Sequence, residues 1–138
     1  MIRSYVLLGT LGVHSIEDVK EKKITVMFTL FSGILGIVLH LLVPDISIFD
    51  MLLGMASGGG IMLFSRLTGG KIGMGDGILF MLTGFYLGAA QNLWLMMISF
   101  SLAGVFGGCM LMFGLCRKGD RLPFVPFLFA GYFLMIVR

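Results

Sequence analysis

The chain has 138 residues, of which 58% are hydrophobic and 12% are charged, and its mean hydropathy is +1.05. Soluble domains are about half apolar and about a quarter charged, so a water-soluble fold of this length could not hide so much apolar surface. The composition indicates one membrane-embedded domain over residues 1–138, with the lipid bilayer as solvent. The formal charge of +3 does not indicate nucleic-acid binding, because the basic residues lie in short gaps between apolar runs.

Charged and turn residues divide the chain into six apolar segments. In chain order they run over Ile2–Ile16, Ile24–Val43, Ile46–Phe64, Asp76–Ala90, Leu93–Cys116 and Leu122–Val137. A helix that crosses a bilayer needs about 17–25 residues, which the second, third and fifth segments reach and the others reach only with flanking residues. None shows the alternation of a membrane β-strand. The sequence therefore predicts an all-α, polytopic membrane protein with about six transmembrane helices.

Glycine is frequent in the chain, with 21 residues. Small residues let membrane helices approach each other closely. We therefore expect the glycines of the fifth segment to form such a helix contact. They are Gly104, Gly107, Gly108 and Gly114.

The distribution of basic residues predicts the orientation. Eight of the ten Lys and Arg residues lie in the loops after the first, third and fifth segments, which six spans would place on one side. They are Lys20, Lys22, Lys23, Arg66, Lys71, Arg117, Lys118 and Arg121. Loops rich in Lys and Arg face the cytoplasm, so both termini, with Arg3 and Arg138, are predicted outside. His40, near the outer end of the second segment, is interpreted as structural.

Two aspartates at the predicted cytoplasmic surface differ from the other acidic residues by position. Asp18 ends the first segment, and Asp76 opens the fourth between Gly75 and Gly77. An ionisable group at the membrane boundary is a candidate for function. The simpler readings are that Asp18 belongs to a solvated charge run and that Asp76 only caps a helix.

Three motifs, in order, resemble the type IV prepilin peptidase family of membrane aspartyl proteases. Residues 69–76 read Gly-Gly-Lys-Ile-Gly-Met-Gly-Asp and contain its Gly-x-Gly-Asp signature, with Gly73, Gly75 and Asp76. Residues 18–25 read Asp-Val-Lys-Glu-Lys-Lys-Ile-Thr and are similar to its first aspartate followed by a basic stretch. Residues 122–128 read Leu-Pro-Phe-Val-Pro-Phe-Leu and resemble its Pro-Phe-x-Pro-Phe-Leu segment. The resemblance covers residues 18–128.

The resemblance implies roles for these residues. Asp18 and Asp76 would be the catalytic pair. The supporting residues would be Gly73, Gly75, Gly77, Pro123, Phe124 and Pro126. Two positions depart from the family pattern: Thr25 stands where the family has proline, and Ile78 stands where it has a basic residue. The Cys-x-x-Cys methyltransferase region of the longer members is not present in this sequence, so the resemblance is to a protease-only form.

Two neighbouring carboxyl groups cannot both ionise easily, so one keeps a proton while the other activates a water. No metal or cofactor is expected.

The predicted substrate is a prepilin or pseudopilin-like protein with a basic leader and an apolar helix, cleaved at the cytoplasmic face of the inner membrane. By resemblance, cleavage would follow a glycine. The acidic Glu17, Glu21 and Asp120 are candidates for attracting the leader. His14 lies one turn before Asp18 and is interpreted as a helix-interface residue. The alternative function is a non-catalytic membrane subunit or small transporter of a secretion or pilus system.

Overall fold

The computed structural model describes residues 2–22, 24–69, 73–115 and 122–137. Within these ranges the chain forms six α-helices and no strand, which confirms the all-α prediction. The helices are α1 (Ile2–Glu21), α2 (Val26–Leu42), α3 (Ile48–Leu67), α4 (Met74–Leu87), α5 (Ala89–Met112) and α6 (Val125–Val137). Each corresponds to one predicted apolar segment. The largest difference is at α1, which continues past Ile16 through the charged residues to Glu21.

Two of these helices, α3 and α5, are long and apolar enough to cross a membrane. Helices α2, α4 and α6 are apolar but have only 17, 14 and 13 residues. Helix α1 has 20 residues, but its charged last turns lower its hydropathy. The described residues therefore support a membrane protein with two candidate spans, and the prediction of six spans is not confirmed.

The closest helix contact joins α3 to α4 through glycine. A Cβ atom added at Gly84 would collide with the backbone of Gly54, and one added at Gly58 would collide with the backbone of Met81. Backbones this close exclude any larger side chain, as in other small-residue membrane interfaces.

The glycine prediction for the fifth segment is wrong in this respect, because a Cβ atom at Gly104, Gly108 or Gly114 would meet no other described atom within 4 Å. Only Gly107 lies close to a neighbour, the side chain of Leu122.

A buried amide joins three helices. Asn92 of α5 is fully buried, and its Nδ2 donates to the carbonyl oxygens of Gly54 on α3 (3.2 Å) and Phe80 on α4 (3.1 Å). Its Oδ1 accepts from the Thr83 hydroxyl at 2.6 Å. Hydrogen bonds between membrane helices contribute about 0.6–2 kcal/mol each. This network therefore fixes α3, α4 and α5 relative to one another.

The apolar core lies mainly between α1, α4, α5 and α6. Its buried members include Leu7, Leu11, Leu79, Phe80, Leu95, Val125, Leu128 and Tyr132. The Phe80 ring packs against the rings of Phe100 and Phe124, with centroids 5.6 and 5.7 Å away. Because Phe80 is on α4 and Phe124 immediately precedes α6, this cluster holds the start of α6 beside the first turns of α4. The last turn of α1 reaches the same end of the bundle.

Candidate active site

Asp18 lies in the last turn of α1 and is buried, with 8% of its surface exposed. Its Oδ2 accepts a hydrogen bond of 2.9 Å from the backbone N–H of Val125, the first residue of α6. The first N–H groups of a helix have no partner within the helix, and the helix dipole there favours a negative charge. The start of α6 therefore stabilises the ionised form of the Asp18 carboxylate.

Asp76 lies in the first turn of α4, outside the two helices that qualify as membrane spans. Burial, and after it the negative charge of Asp18, raises the pKa of the Asp76 carboxyl group from 3.8 to about 7. The charge of Asp18 acts in this way because the fold brings the two carboxyl groups near each other. Near neutral pH a large share of the Asp76 carboxyl groups therefore still holds a proton.

The motif glycines make room for Asp76 and its neighbours. A Cβ atom at Gly73 would lie 2.8 Å from Asp76 Oδ2, and one at Gly75 would lie 2.7 Å from the Ile24 Cδ1 atom. A Cβ atom at Gly77 would collide with the Met62 side chain of α3. Each glycine thus permits a different close approach: of the carboxyl group, of the segment after Asp18, and of α3.

The Pro-Phe segment supplies both packing and a hydrogen-bond donor. Phe124 fills the aromatic cluster, and its carbonyl accepts the N–H of Phe127 and of Leu128 as α6 begins. Pro126 is the second residue of α6, where the missing proline N–H removes no bond within the helix. Pro123 precedes the helix and is half-buried. The structure thus places Pro123, Phe124 and Pro126 next to the Val125 N–H that binds Asp18.

A second polar network lies beside Asp18. The fully buried His14 contacts Glu17 through Nδ1 (2.9 Å) and the Thr29 hydroxyl through Nε2 (3.1 Å). The Glu17 Oε2 also accepts the backbone N–H of Thr25 at 3.3 Å. The interpretation of His14 as a helix-interface residue agrees with this placement between α1 and α2. A proline at position 25, as the family pattern has, could not donate this hydrogen bond.

The other acidic candidates differ in their contacts. The Glu17 carboxylate is already bonded to His14 and Thr25, whereas Glu21 is exposed at the end of α1. Asp120 lies outside the described residues, as do Lys23, Lys71, Arg117, Lys118, Arg121 and Arg138. Within the described ranges, no group of three or more His, Cys, Asp or Glu residues is placed to hold a metal ion.

The sequence motifs pointed to the two aspartates as candidates but did not reveal the backbone donor at Val125. A side-chain pattern does not reveal a main-chain hydrogen bond. The available signal was positional: the Pro-Phe segment opens a helix at the end of the bundle where α1 finishes, and helix N-termini attract carboxylates. No comparable signal in the sequence indicated the contact between Glu17 and the Thr25 N–H.

Comparison with known proteins identifies a family but no individual relative. No curated protein and no solved structure matches the chain significantly. The family model described as "Type IV leader peptidase family" matches residues 5–137, a range that includes both aspartates and the Pro-Phe segment. Because this match extends over nearly the whole chain, the chain belongs to the type IV leader peptidase family, a family of proteases.

Proposed function

We propose that the chain is a membrane aspartyl endopeptidase in which Asp18 is the general base and Asp76 the general acid. The observation that carries the proposal is the unequal environment of two neighbouring carboxyl groups. Asp18 accepts the Val125 N–H, which favours its charged form, while burial raises the pKa of Asp76 to about 7 and favours its neutral form. Pairs of carboxyl groups in unlike environments divide acid and base roles in this way.

The proposed reaction needs only these two groups and a water. The Asp18 carboxylate takes a proton from the water, whose oxygen then attacks the carbonyl carbon of the scissile peptide bond. Asp76 donates its proton to the carbonyl oxygen, so the tetrahedral intermediate is neutral. When the C–N bond breaks, Asp18 returns its proton to the leaving amine, and the intermediate's hydroxyl returns a proton to Asp76. Each carboxyl group ends in its starting state.

The proposed substrate is a prepilin-like protein with a basic leader and an apolar helix. The described basic residues Lys20, Lys22 and Arg66 lie at the same end of the bundle as the aspartates, and we propose that this end faces the cytoplasm. A substrate helix in the bilayer would then carry its leader junction to the level of Asp18 and Asp76. The exposed Glu21 is the described acidic residue free to meet a basic leader, because Glu17 is bonded within the fold.

The direct test is co-expression with a candidate prepilin, with leader removal read from a gel shift. Asp18→Asn and Asp76→Asn should each reduce the processing rate at least about 100-fold, because general acid–base groups contribute about 10²–10⁴-fold. Asp45→Asn is the matched control, because Asp45 is an exposed aspartate at the opposite end of the bundle. It should process at the wild-type rate.

Two results would contradict the proposal. Processing by either catalytic-position variant at a rate near that of the wild type would remove that aspartate from the pair. If the wild type inserts into the membrane but cleaves no prepilin-like substrate, a non-catalytic subunit or small transporter becomes the better reading.

A further inference from the structure

The first turn of α1 buries a cation far from the aspartates. The Arg3 side chain is 8% exposed, and its Nη2 donates one long hydrogen bond, 3.5 Å, to the carbonyl oxygen of Phe85 on α4. Its Nε and Nη1 are buried without a hydrogen-bond partner among the residues that the structure describes. A buried guanidinium with unused donors is costly unless an anion meets it.

A second unused donor lies opposite on α2. The antiparallel helices α1 and α2 meet at two polar contacts. The His14 Nε2 atom lies 3.1 Å from the Thr29 hydroxyl, and the hydroxyls of Thr10 and Ser32 lie 2.9 Å apart. Arg3 comes eleven residues before His14, and His40 comes eleven residues after Thr29. About eleven residues make three helical turns, so both side chains return to the faces that α1 and α2 share. The His40 Nδ1 atom is also buried without a hydrogen-bond partner among the described residues.

Helix α4 closes the third side of this corner. A Cβ atom at Gly36 of α2 would lie 2.7 Å from the Phe85 ring and 2.8 Å from the Tyr86 ring. Arg3 bonds the carbonyl of the same Phe85, and His40 is one turn beyond Gly36. Helix α2 thus packs against α4 at the residue whose carbonyl Arg3 bonds, one turn before His40.

The described part of the chain supplies no carboxylate for this corner. No ion pair joins Arg3 to a described acidic residue. Of the two aspartates at this end, Asp45 is exposed and Asp50 accepts the backbone N–H of Ala89 at 3.1 Å. Arg3 is thus a buried cation with no carboxylate partner among the described residues.

We propose that the corner formed by α1, α2 and α4 binds a phosphate group through Arg3 and His40. A phosphate offers several oxygen acceptors to the guanidinium N–H groups and to the imidazole N–H, and arginine is the side chain best suited to it. The phosphate can come from a phospholipid head group or from a soluble phosphate. The inference is independent of the proposed catalysis, because the corner lies at the opposite end of the bundle from Asp18 and Asp76.

The test uses the purified full chain in a phosphate-free, uncharged detergent. Thermal unfolding is measured against added inorganic phosphate, short-chain phosphatidylglycerol, and diacylglycerol with the same acyl chains. Stabilisation by phosphatidylglycerol alone identifies a lipid phosphate, whereas stabilisation by inorganic phosphate identifies a soluble one. Equal stabilisation by diacylglycerol, or stabilisation by none of the three, would overturn the proposal.

Variants locate the site. Arg3→Gln and His40→Gln should each weaken the apparent affinity for the active probe about tenfold or more, as expected for a lost charge-assisted hydrogen bond. Arg66→Gln is the matched control, because it removes the same charge from an exposed position at the other end of the bundle. It should leave the affinity unchanged. If Arg3→Gln does not fold, His40→Gln and native mass spectrometry of the wild type with the same probes decide the question. Unchanged affinity in His40→Gln together with no retained phosphate compound would refute the site.

Discussion

Asp18 and Asp76 carry the same carboxyl group but lie in different surroundings. Asp18 meets a helix N-terminus through the Val125 N–H, and Asp76 meets the charge of Asp18 from a half-buried position. Burial is the first cause of the raised Asp76 pKa, and the charge of Asp18 is the second. The asymmetry of the pair therefore combines the burial of Asp76 with the hydrogen bond that Asp18 accepts from Val125.

The raised pKa of Asp76 predicts an alkaline limit to activity. The general acid must be protonated, so kcat/KM for leader cleavage should fall as the pH rises above about 7. The measurement is a pH profile of single-turnover processing in detergent. A rate that stayed constant to about pH 9 would contradict the role of Asp76 as the proton donor.

The same shift predicts how stability depends on pH. The folded protein holds the Asp76 proton more tightly than the unfolded chain does, because the pKa is raised from 3.8 to about 7. Its contribution to stability is fully present below about pH 4 and is lost as the pH rises through about 7. Relative to Asp76→Asn, the wild-type melting temperature should therefore fall across this window. A constant difference between the two would contradict the prediction.

Removing a hydrogen bond should have little effect on the processing rate at Thr25 but a clear effect on stability at Thr29. Thr25 is exposed and its φ of −74° already suits proline, so Thr25→Pro should change the processing rate no more than about twofold. Thr29 is buried and bonds the buried His14, so Thr29→Val should cost about 1–3 kcal/mol of unfolding free energy. Processing assays and thermal unfolding in detergent measure the two effects. A large loss of activity in Thr25→Pro would show that the Glu17 contact with the Thr25 N–H matters for cleavage.

At the scale of the element, the glycines of α3 and α4 decide how closely two helices can approach. The sequence predicted close packing from glycine abundance but assigned it to the fifth segment. Glycine permits close approach wherever it occurs, and only the partner helix determines which glycines use that freedom. Gly54, Gly58 and Gly84 face another backbone, whereas Gly104 and Gly108 face open space among the described residues.

This difference predicts unequal effects of the same substitution. Gly84→Ala places a methyl group against the Gly54 backbone and should lower the unfolding free energy by about 1–3 kcal/mol. The methyl group of Gly108→Ala meets no described atom within 4 Å. This substitution should leave stability unchanged or raise it by up to about 1 kcal/mol, because alanine has a higher helix propensity than glycine. Equal melting temperatures for the two variants in detergent would contradict the α3–α4 contact.

At the scale of the whole molecule, the arrangement of charge predicts which end faces the cytoplasm. In a chain with both native cysteines replaced by alanine, Lys22→Cys should resist a membrane-impermeant maleimide in intact spheroplasts and react after permeabilisation. Pro44→Cys lies at the other end of the bundle and should react in intact spheroplasts. The reverse pattern would invert the proposed orientation. Labelling of both positions before permeabilisation would contradict the separation of the two ends by a membrane.

The sequence by itself determined the helical class and the six helices that the described residues form, and it proposed the two aspartates as the catalytic pair. Apolar runs and local motifs are properties of neighbouring residues, so they can be read without the fold. The tertiary structure alone decided that Val125 binds Asp18, that the charge of Asp18 acts on Asp76, and that the Arg3 side chain is buried against Phe85. These are relations between side chains and backbone groups far apart in the chain, and they exist only once the helices have packed.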